Sequence, residues 1–325
     1  MPNALAHFAA QGAAARLTFR QADPKWLLLS CIIPDIPWIL QRLNGMLGPV
    51  LAPYTMRLYA IVQASLAFSL VLCGALALCS AMPRQVFALL ATGAFLHLLL
   101  DAAETKWGNG VHLFAPFSWR DLNFGWFWPE SGIVLGLTLC GAAFVASEWP
   151  RRTRYAIGPA RWRPARAMLA LSLLATYVAG PLLFTASVEA SDSHFVGTLR
   201  RGEDRVGQRV GFDRAEIVRR DGALMVRTTG RELITLVGPP LDGARVASIE
   251  GTFITPDSVR VARYHRHGGH RDYPSYLGLA LLACFWVASI ADRRKRRTAA
   301  ARPRQRSDAD GRRPGRDGER GRIRR

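Results

Sequence analysis

Apolar residues in this chain collect into long blocks instead of alternating with polar ones, and several blocks approach the roughly 18–24 residues that carry a helix across a bilayer. Residues 58–81, 85–103, 167–187 and 276–291 read as membrane spans, and 131–147, shorter but apolar throughout, reads as a fifth. Two further stretches, 2–15 and 26–40, fall short of a span; they are expected to be tilted, interfacial or buried against the others. Between 188 and 272 the pattern changes. Short β-rich runs at 194–199, 206–218, 224–228, 232–237, 245–254 and 259–264 are punctuated by Gly202, Asp221-Gly222, Gly230, Gly238-Pro239-Pro240 and Pro256-Asp257. Five or six short strands in that length suit a small Greek-key barrel of the OB type.

The expected fold is therefore mainly α: a polytopic membrane helical bundle with a small all-β, OB-like domain inserted between the last two spans. The implied divisions are a membrane-embedded domain (1–147), a basic loop (148–166), a span (167–187), the β domain (188–272), a last span (273–291) and a tail (292–325).

Charge orients this arrangement. Half of the residues are hydrophobic, which excludes a wholly soluble protein, while the net charge is +19. Much of that charge is local: the tail 292–325 holds fifteen Lys and Arg against five acids, and the 148–166 loop six Arg against one Glu. What is left over is too little to indicate nucleic-acid binding, and the expected partner of the basic stretches is the bilayer. Lys and Arg favour the cytoplasmic side in short loops, so both stretches are predicted to be cytoplasmic. The 188–272 domain then lies outside, and the whole is expected in the inner (cytoplasmic) membrane. The tail, rich in Arg, Gly, Asp and Pro without periodicity, is expected to be disordered. The start of the chain lacks a basic region before its apolar run, and a cleaved signal peptide is not expected. Cys31, Cys73, Cys79, Cys140 and Cys284 all sit in apolar segments without a CxxC pair and read as inert thiols.

Ionisable groups inside apolar segments are costly and so point to function. Three stand out: His7, Asp35 within Pro34-Asp35-Ile36-Pro37, and His97 with Asp101. The last two are four residues apart, hence on one helix face, where imidazole and carboxylate can chelate one Zn²⁺-like ion. The predicted topology places all four in the outer half of the bundle. Each has a structural alternative: His7 on a polar face, Asp35 as a cap or helix breaker, His97–Asp101 as a hydrogen-bonded pair. The 104–130 loop adds Glu104, Lys106, His112, Arg120, Asp121 and Glu130 among Trp107, Trp119, Trp126 and Trp128. The tryptophans are expected to form an interfacial belt. A second possibility is an outward pocket in which Lys106, His112 and Arg120 bind substrate. His265-Arg266-His267-Gly268-Gly269-His270, at the end of the β domain, is expected to be a hydrated juxtamembrane turn.

Met1-Pro2-Asn3-Ala4-Leu5-Ala6-His7, Ile32-Ile33-Pro34-Asp35 and Phe95-Leu96-His97-Leu98-Leu99-Leu100-Asp101, followed by a loop with Gly110, Phe114, Pro116 and Phe117, resemble in order and spacing the LexA-regulated inner-membrane metal-dependent hydrolases. Those proteins are distantly similar to zinc-dependent phospholipase C and P1 nuclease. The likeness covers residues 1–147, and it implies His7, Asp35, His97 and Asp101 as ligands of a divalent metal, zinc foremost. Two departures bear on catalysis. Pro37 stands where the family has a second Asp, and the 53–65 stretch lacks the family's His-Arg-Gly-x-x-His-Ser; Arg57 and Ser65 are present at other spacings. The resemblance implies hydrolysis of a phosphoester or other ester of a lipid or envelope compound by metal-activated water. The alternative is a catalytically silent membrane scaffold whose 188–272 domain binds an envelope protein or a glycan.

Overall fold

Helix starts in this chain are set largely by proline and by capping side chains. Pro24, Pro53, Pro83 and Pro164 open α2 (Pro24–Ser30), α4 (Pro53–Gln63), α6 (Pro83–Ala103) and α8 (Pro164–Ala179), where a missing N–H goes unneeded. Pro37 does the same in the first turn of α3 (Ile36–Leu47). Asn3 and Ser131 accept backbone N–H bonds at the starts of α1 (Ala4–Thr18) and α7 (Gly132–Glu148). The remaining helices are α5 (Leu66–Ala77), α9 (Thr185–Ala190), α10 (Val196–Arg200) and α11 (Asp272–Ala301). The computed structural model describes residues 3–48, 50–238, 243–269 and 272–301.

Among the described residues, four helical stretches are long and apolar enough to cross a membrane: Pro83–Ala103, Gly132–Thr153, Pro164–Ala190 and Asp272–Lys295. Two bent pairs also qualify when each is taken as one unit, Pro24–Ser30 with Ile33–Leu47 (43°) and Pro53–Gln63 with Leu66–Ala77 (72°). The continuous span expected over 58–81 is thus broken. Ser65 takes an extended backbone (ψ 162°) that stops α4 and starts α5. At the break Gln63 donates to the Tyr177 carbonyl at 3.1 Å. Pro181, four residues on from Tyr177, has no N–H to offer that carbonyl, so a buried polar tie replaces a helix bond.

The helix at the centre is one the hydropathy pattern leaves undecided. α1 is buried along most of its length and packs on α6, α7 and α11. It is pinned to α7 at both ends, by Asn3 Nδ2 to Thr138 Oγ1 (2.7 Å) and by the Arg16–Glu148 ion pair. Between these ties the backbones nearly touch: a Cβ on Gly141 would lie 1.8 Å from the Leu5 carbonyl oxygen. Gly93 of α6 likewise admits the Ser30 side chain of α2. By contrast α7, α8 and α11 turn bare apolar faces outward, including Leu135, Leu139, Leu171, Val178, Leu277 and Val287.

The β unit has β1 (Arg209–Arg220), β2 (Ala223–Arg227), β3 (Leu233–Val237), β4 (Val246–Thr255) and β5 (Ser258–Arg266). Their order is β1-β2-β3-β5-β4, with β4 returning to β1; four pairings are antiparallel and β3–β5 is parallel. The closure is irregular: β2–β3 and β3–β5 share three residue pairs each, and the β1–β4 and β4–β5 ladders are bulged. Val210, Phe212, Val226, Ile234, Ile249, Phe253 and Val259 fill its own core. The strand expected at 194–199 is instead a 3₁₀ turn followed by α10. Asp192 caps that helix through Thr198 (2.7 Å), and Asp192, His194 and Phe195 all have left-handed φ.

Two other expectations change. α11 runs to Ala301, so helix replaces disorder over the first part of the 292–325 tail; residues 302–325 lie outside the described residues, as does His270. Trp107 and Trp128 meet edge to face at 5.0 Å and cover β5, with Arg263 over Trp107 and His265 stacked on Trp128, so these two join loop to sheet instead of forming a free belt.

Candidate metal centre

His7 from α1, His97 and Asp101 from α6, and Asp35 from the 3₁₀ turn Ile33–Asp35 converge at one point in the bundle. Pro34 and Pro37 explain why Asp35 can reach it. They interrupt the helix between α2 and α3, so the carboxylate hangs from a tight turn. The α6 pair is one helical turn apart, as its spacing requires.

The separations are ones that could hold a metal ion. His7 Nε2 lies 3.5 Å from Asp101 Oδ1, and His97 Nε2 lies 3.4 Å from Asp35 Oδ1 and 3.6 Å from Asp101 Oδ2. The two imidazoles stack at 3.8 Å, nearly parallel. His7 Nε2, His97 Nε2, Asp35 Oδ1 and Asp101 Oδ1 are all buried, and none has a hydrogen-bond partner among the described residues. Orphan buried polar atoms are costly. The opposite ring nitrogens are occupied: Gln11 Nε2 contacts His7 Nδ1, and His97 Nδ1 bonds the Cys31 carbonyl at 2.8 Å. Such second contacts orient a metal-binding imidazole. Ligands at about 2.0–2.1 Å from a tetrahedral ion stand about 3.3–3.4 Å apart, close to the separations here. The residues therefore fit a divalent ion of the zinc class.

His7, His97 and Asp101 form the tightest group, with one atom from each lying within 4.8 Å of the others; Asp35 joins through His97 and is the most exposed of the four. Lys106 is drawn in as well, its Nζ 3.5 Å from Asp101 Oδ1 and 3.6 Å from Glu104 Oε2. A cavity of about 30 Å³, room for one water, lies between Asp101, Lys106, His112, Ser65 and His194. Burial holds His112 and His194 below the ordinary imidazole value, and Arg57 pushes His194 lower still, so both are neutral near pH 7. Arg120 does not join this group. It is exposed and lines none of the described cavities, because its segment runs over the surface between Ser118 and Leu122.

A second cavity, about 190 Å³, opens between α3 and α11. Its walls are apolar (Ala4, Ile32, Ile39, Leu43, Leu279), and its polar end carries Asp35, Arg42, Arg214 and Asp272. Arg214 comes from a β1 residue with left-handed φ (51°) at the bulge between β1 and β4. It pairs with Asp213 at 3.2 Å, while its Nη1 is buried without a partner. Burial opposes ionisation of Asp213, yet Arg214, the Asn109 amide and Lys106 hold its carboxyl down to about 2. His194, Arg214, Gln11 and the Cys31 carbonyl are the parts of this region that a reading of the sequence misses. The left-handed turns that bring His194 and Arg214 inward sit at non-glycine residues and leave no pattern in the chain.

Comparison with protein families, with curated proteins and with solved structures finds no match to this chain.

Proposed function

We propose that this protein is a membrane-embedded, metal-dependent hydrolase of the family its N-terminal motifs resemble, acting on a phosphoester of a lipid or other envelope amphiphile. The observation that carries the reading is the cluster of buried ligand atoms spaced at 3.4–3.6 Å, with His7, His97 and Asp101 within 4.8 Å of one another and Asp35 beside His97. A divalent ion held there supplies Lewis acidity toward a water and an ester oxygen. The other residues prepare the site. Lys106 offsets the negative charge of Asp101 and Glu104. Arg214 offers its free guanidinium nitrogen, with Arg42, to an anionic group entering beside Asp35, and the apolar walls of that cavity receive an acyl chain.

The proposed setting is the inner membrane, with the β unit as an OB-like barrel on the outer side and the basic stretches in the cytoplasm. Supporting this, the Arg16–Glu148, Arg152–Asp292 and Asp23–Arg293 ion pairs gather the basic loop and the end of α11 at one end of the bundle. Asp35, the 104–130 loop and the β unit gather at the other. Five strands closing by one parallel pairing suit a partly open Greek-key barrel.

Hydrolysis of phosphatidic acid and of a phosphodiester lipid in mixed micelles tests the reading, comparing wild type with His97→Asn and with Arg214→Ala. The reading expects activity that a chelator removes and zinc restores, and that is lost in His97→Asn. In Arg214→Ala it expects a rise in KM of about 10–100-fold, the worth of a charged hydrogen bond. Activity indifferent to the chelator and to His97→Asn overturns it. Metal retention without turnover on any ester would favour the scaffold reading, to which Pro37 and the histidine-free 53–65 stretch already lend weight.

A further inference from the structure

Away from the bundle centre, Glu130, His265 and His267 meet where the outer loop touches the sheet. His265 and His267, two apart at the end of β5, project from the same face of the strand. Glu130, just before the cap of α7, reaches between them: Oε2 lies 3.4 Å from His265 Nε2 and Oε1 lies 2.8 Å from His267 Nδ1. One ligand atom from each falls within 4.8 Å of the other two. The group is partly open to solvent, with side chains 29%, 29% and 3% exposed for His265, Glu130 and His267.

A hydrogen-bond chain lies behind His267. Asp213, ion-paired with Arg214, only accepts, so Ser248 Oγ donates to Asp213 Oδ1 at 3.2 Å. The same Ser248 oxygen accepts from the Arg214 backbone N–H at 3.1 Å and lies 2.8 Å from His267 Nε2. When the Ser248 proton goes to Asp213, Ser248 accepts from His267, and Nε2 is the N–H nitrogen. In the neutral ring Nδ1 is then a lone pair pointed at a carboxylate oxygen 2.8 Å away. In that tautomer both atoms are acceptors, and a cation bound by the two would relieve their contact.

We propose that this cation is a divalent transition metal ion of the zinc class, held by Glu130, His265 Nε2 and His267 Nδ1 with at least one coordination position open to water. Two imidazoles and a carboxylate are a complete protein ligand set for zinc. The surroundings are built as such sites are. Ser248 and Asp213 support the far nitrogen of His267, and Trp128 stacks flat on His265 at 3.7 Å. The ion clamps β5 to the residue that precedes α7, the helix packed along α1. The site stands apart from the bundle centre and does not rest on the hydrolase reading.

The test is metal content by elemental mass spectrometry, with cobalt(II) chloride titration followed by visible absorption, on full-length protein in detergent without a polyhistidine tag. Wild type is compared with His265→Ala/His267→Ala, with the near-isosteric Glu130→Gln, and with His97→Asn/Asp101→Asn. The proposal expects the first two variants to lose one equivalent of metal and one cobalt absorption band. It expects the bundle variant to keep that equivalent, whatever happens at the bundle centre. It also expects Ser248→Ala to bind about 10–100-fold more weakly. If Glu130→Gln, folded by circular dichroism, keeps the full wild-type metal content and cobalt spectrum, the proposal fails and the three side chains form a hydrogen-bonded cluster only.

Discussion

A histidine reveals its role through the neighbour of its second nitrogen. His7 and His97 spend Nδ1 on Gln11 and on the Cys31 carbonyl, leaving both Nε2 atoms turned toward carboxylates. His7, Asp35, His97 and Asp101 were legible in the chain because an ionisable group inside an apolar run has few structural uses. Gln11 and Cys31 were not, since a supporting amide or carbonyl has no sequence signature. His194 lay hidden for another reason: its surroundings suggested a strand, and three left-handed residues turned it into the bundle. It also yields a prediction. Its pKa lies well below the usual 6.5, first through burial and then through Arg57 and His112, so the folded protein holds it neutral. The unfolded chain takes up this proton first as pH falls. The stabilisation is complete above about 6.5 and is lost progressively below it. The melting temperature in detergent should therefore drop between pH 6.5 and 5, and drop less in His194→Asn. Equal slopes in the two proteins would contradict this.

At the scale of elements, the apolar blocks announced α6, α7, α11 and the stretch from α8 into α9 well, because each is a long apolar run. They misjudged 58–81, where Ser65 and the Gln63–Tyr177 contact bend the chain through 72°. They left α1 undecided, since a short apolar helix reads the same whether it lies at an interface or in a core. What makes α1 central is the absence of side chain on its neighbour. Gly141 lets the Leu5 backbone approach, and His7 sits half a turn farther along. Gly141→Ala should push α1 away from α7, destabilising by about 1–3 kcal/mol as overpacking does. It should weaken metal binding without altering a ligand. Melting temperature and chelator competition, measured together, check this; an unchanged affinity would detach α7 from the support of the site.

For the whole molecule, the β unit was foreseen in place and strand number, whereas its docking was not. Asn109–Asp213, Tyr54–Thr228 and Glu130–His267 join residues 104 to 174 positions apart, and a single sequence gives no cue to such pairs. This docking puts the sheet and the end of α11 at opposite ends of the bundle, and the proposed topology puts them on opposite sides of a membrane. In a background lacking the native cysteines, an impermeant maleimide should label Asp257→Cys from outside intact cells and should reach Thr298→Cys only after lysis. Labelling of both from the same side would contradict the topology.

The most direct test of the central claim is metal stoichiometry at the bundle centre. Untagged protein is purified in detergent and its zinc and manganese are counted, for wild type, for His97→Asn/Asp101→Asn, and for both proteins in a His265→Ala/His267→Ala background. The account predicts that removing His97 and Asp101 lowers the content by about one ion per chain in either background, with helical content intact. An unchanged count in well-folded variants would mean that the four converging groups are a polar contact within the bundle and not a metal centre.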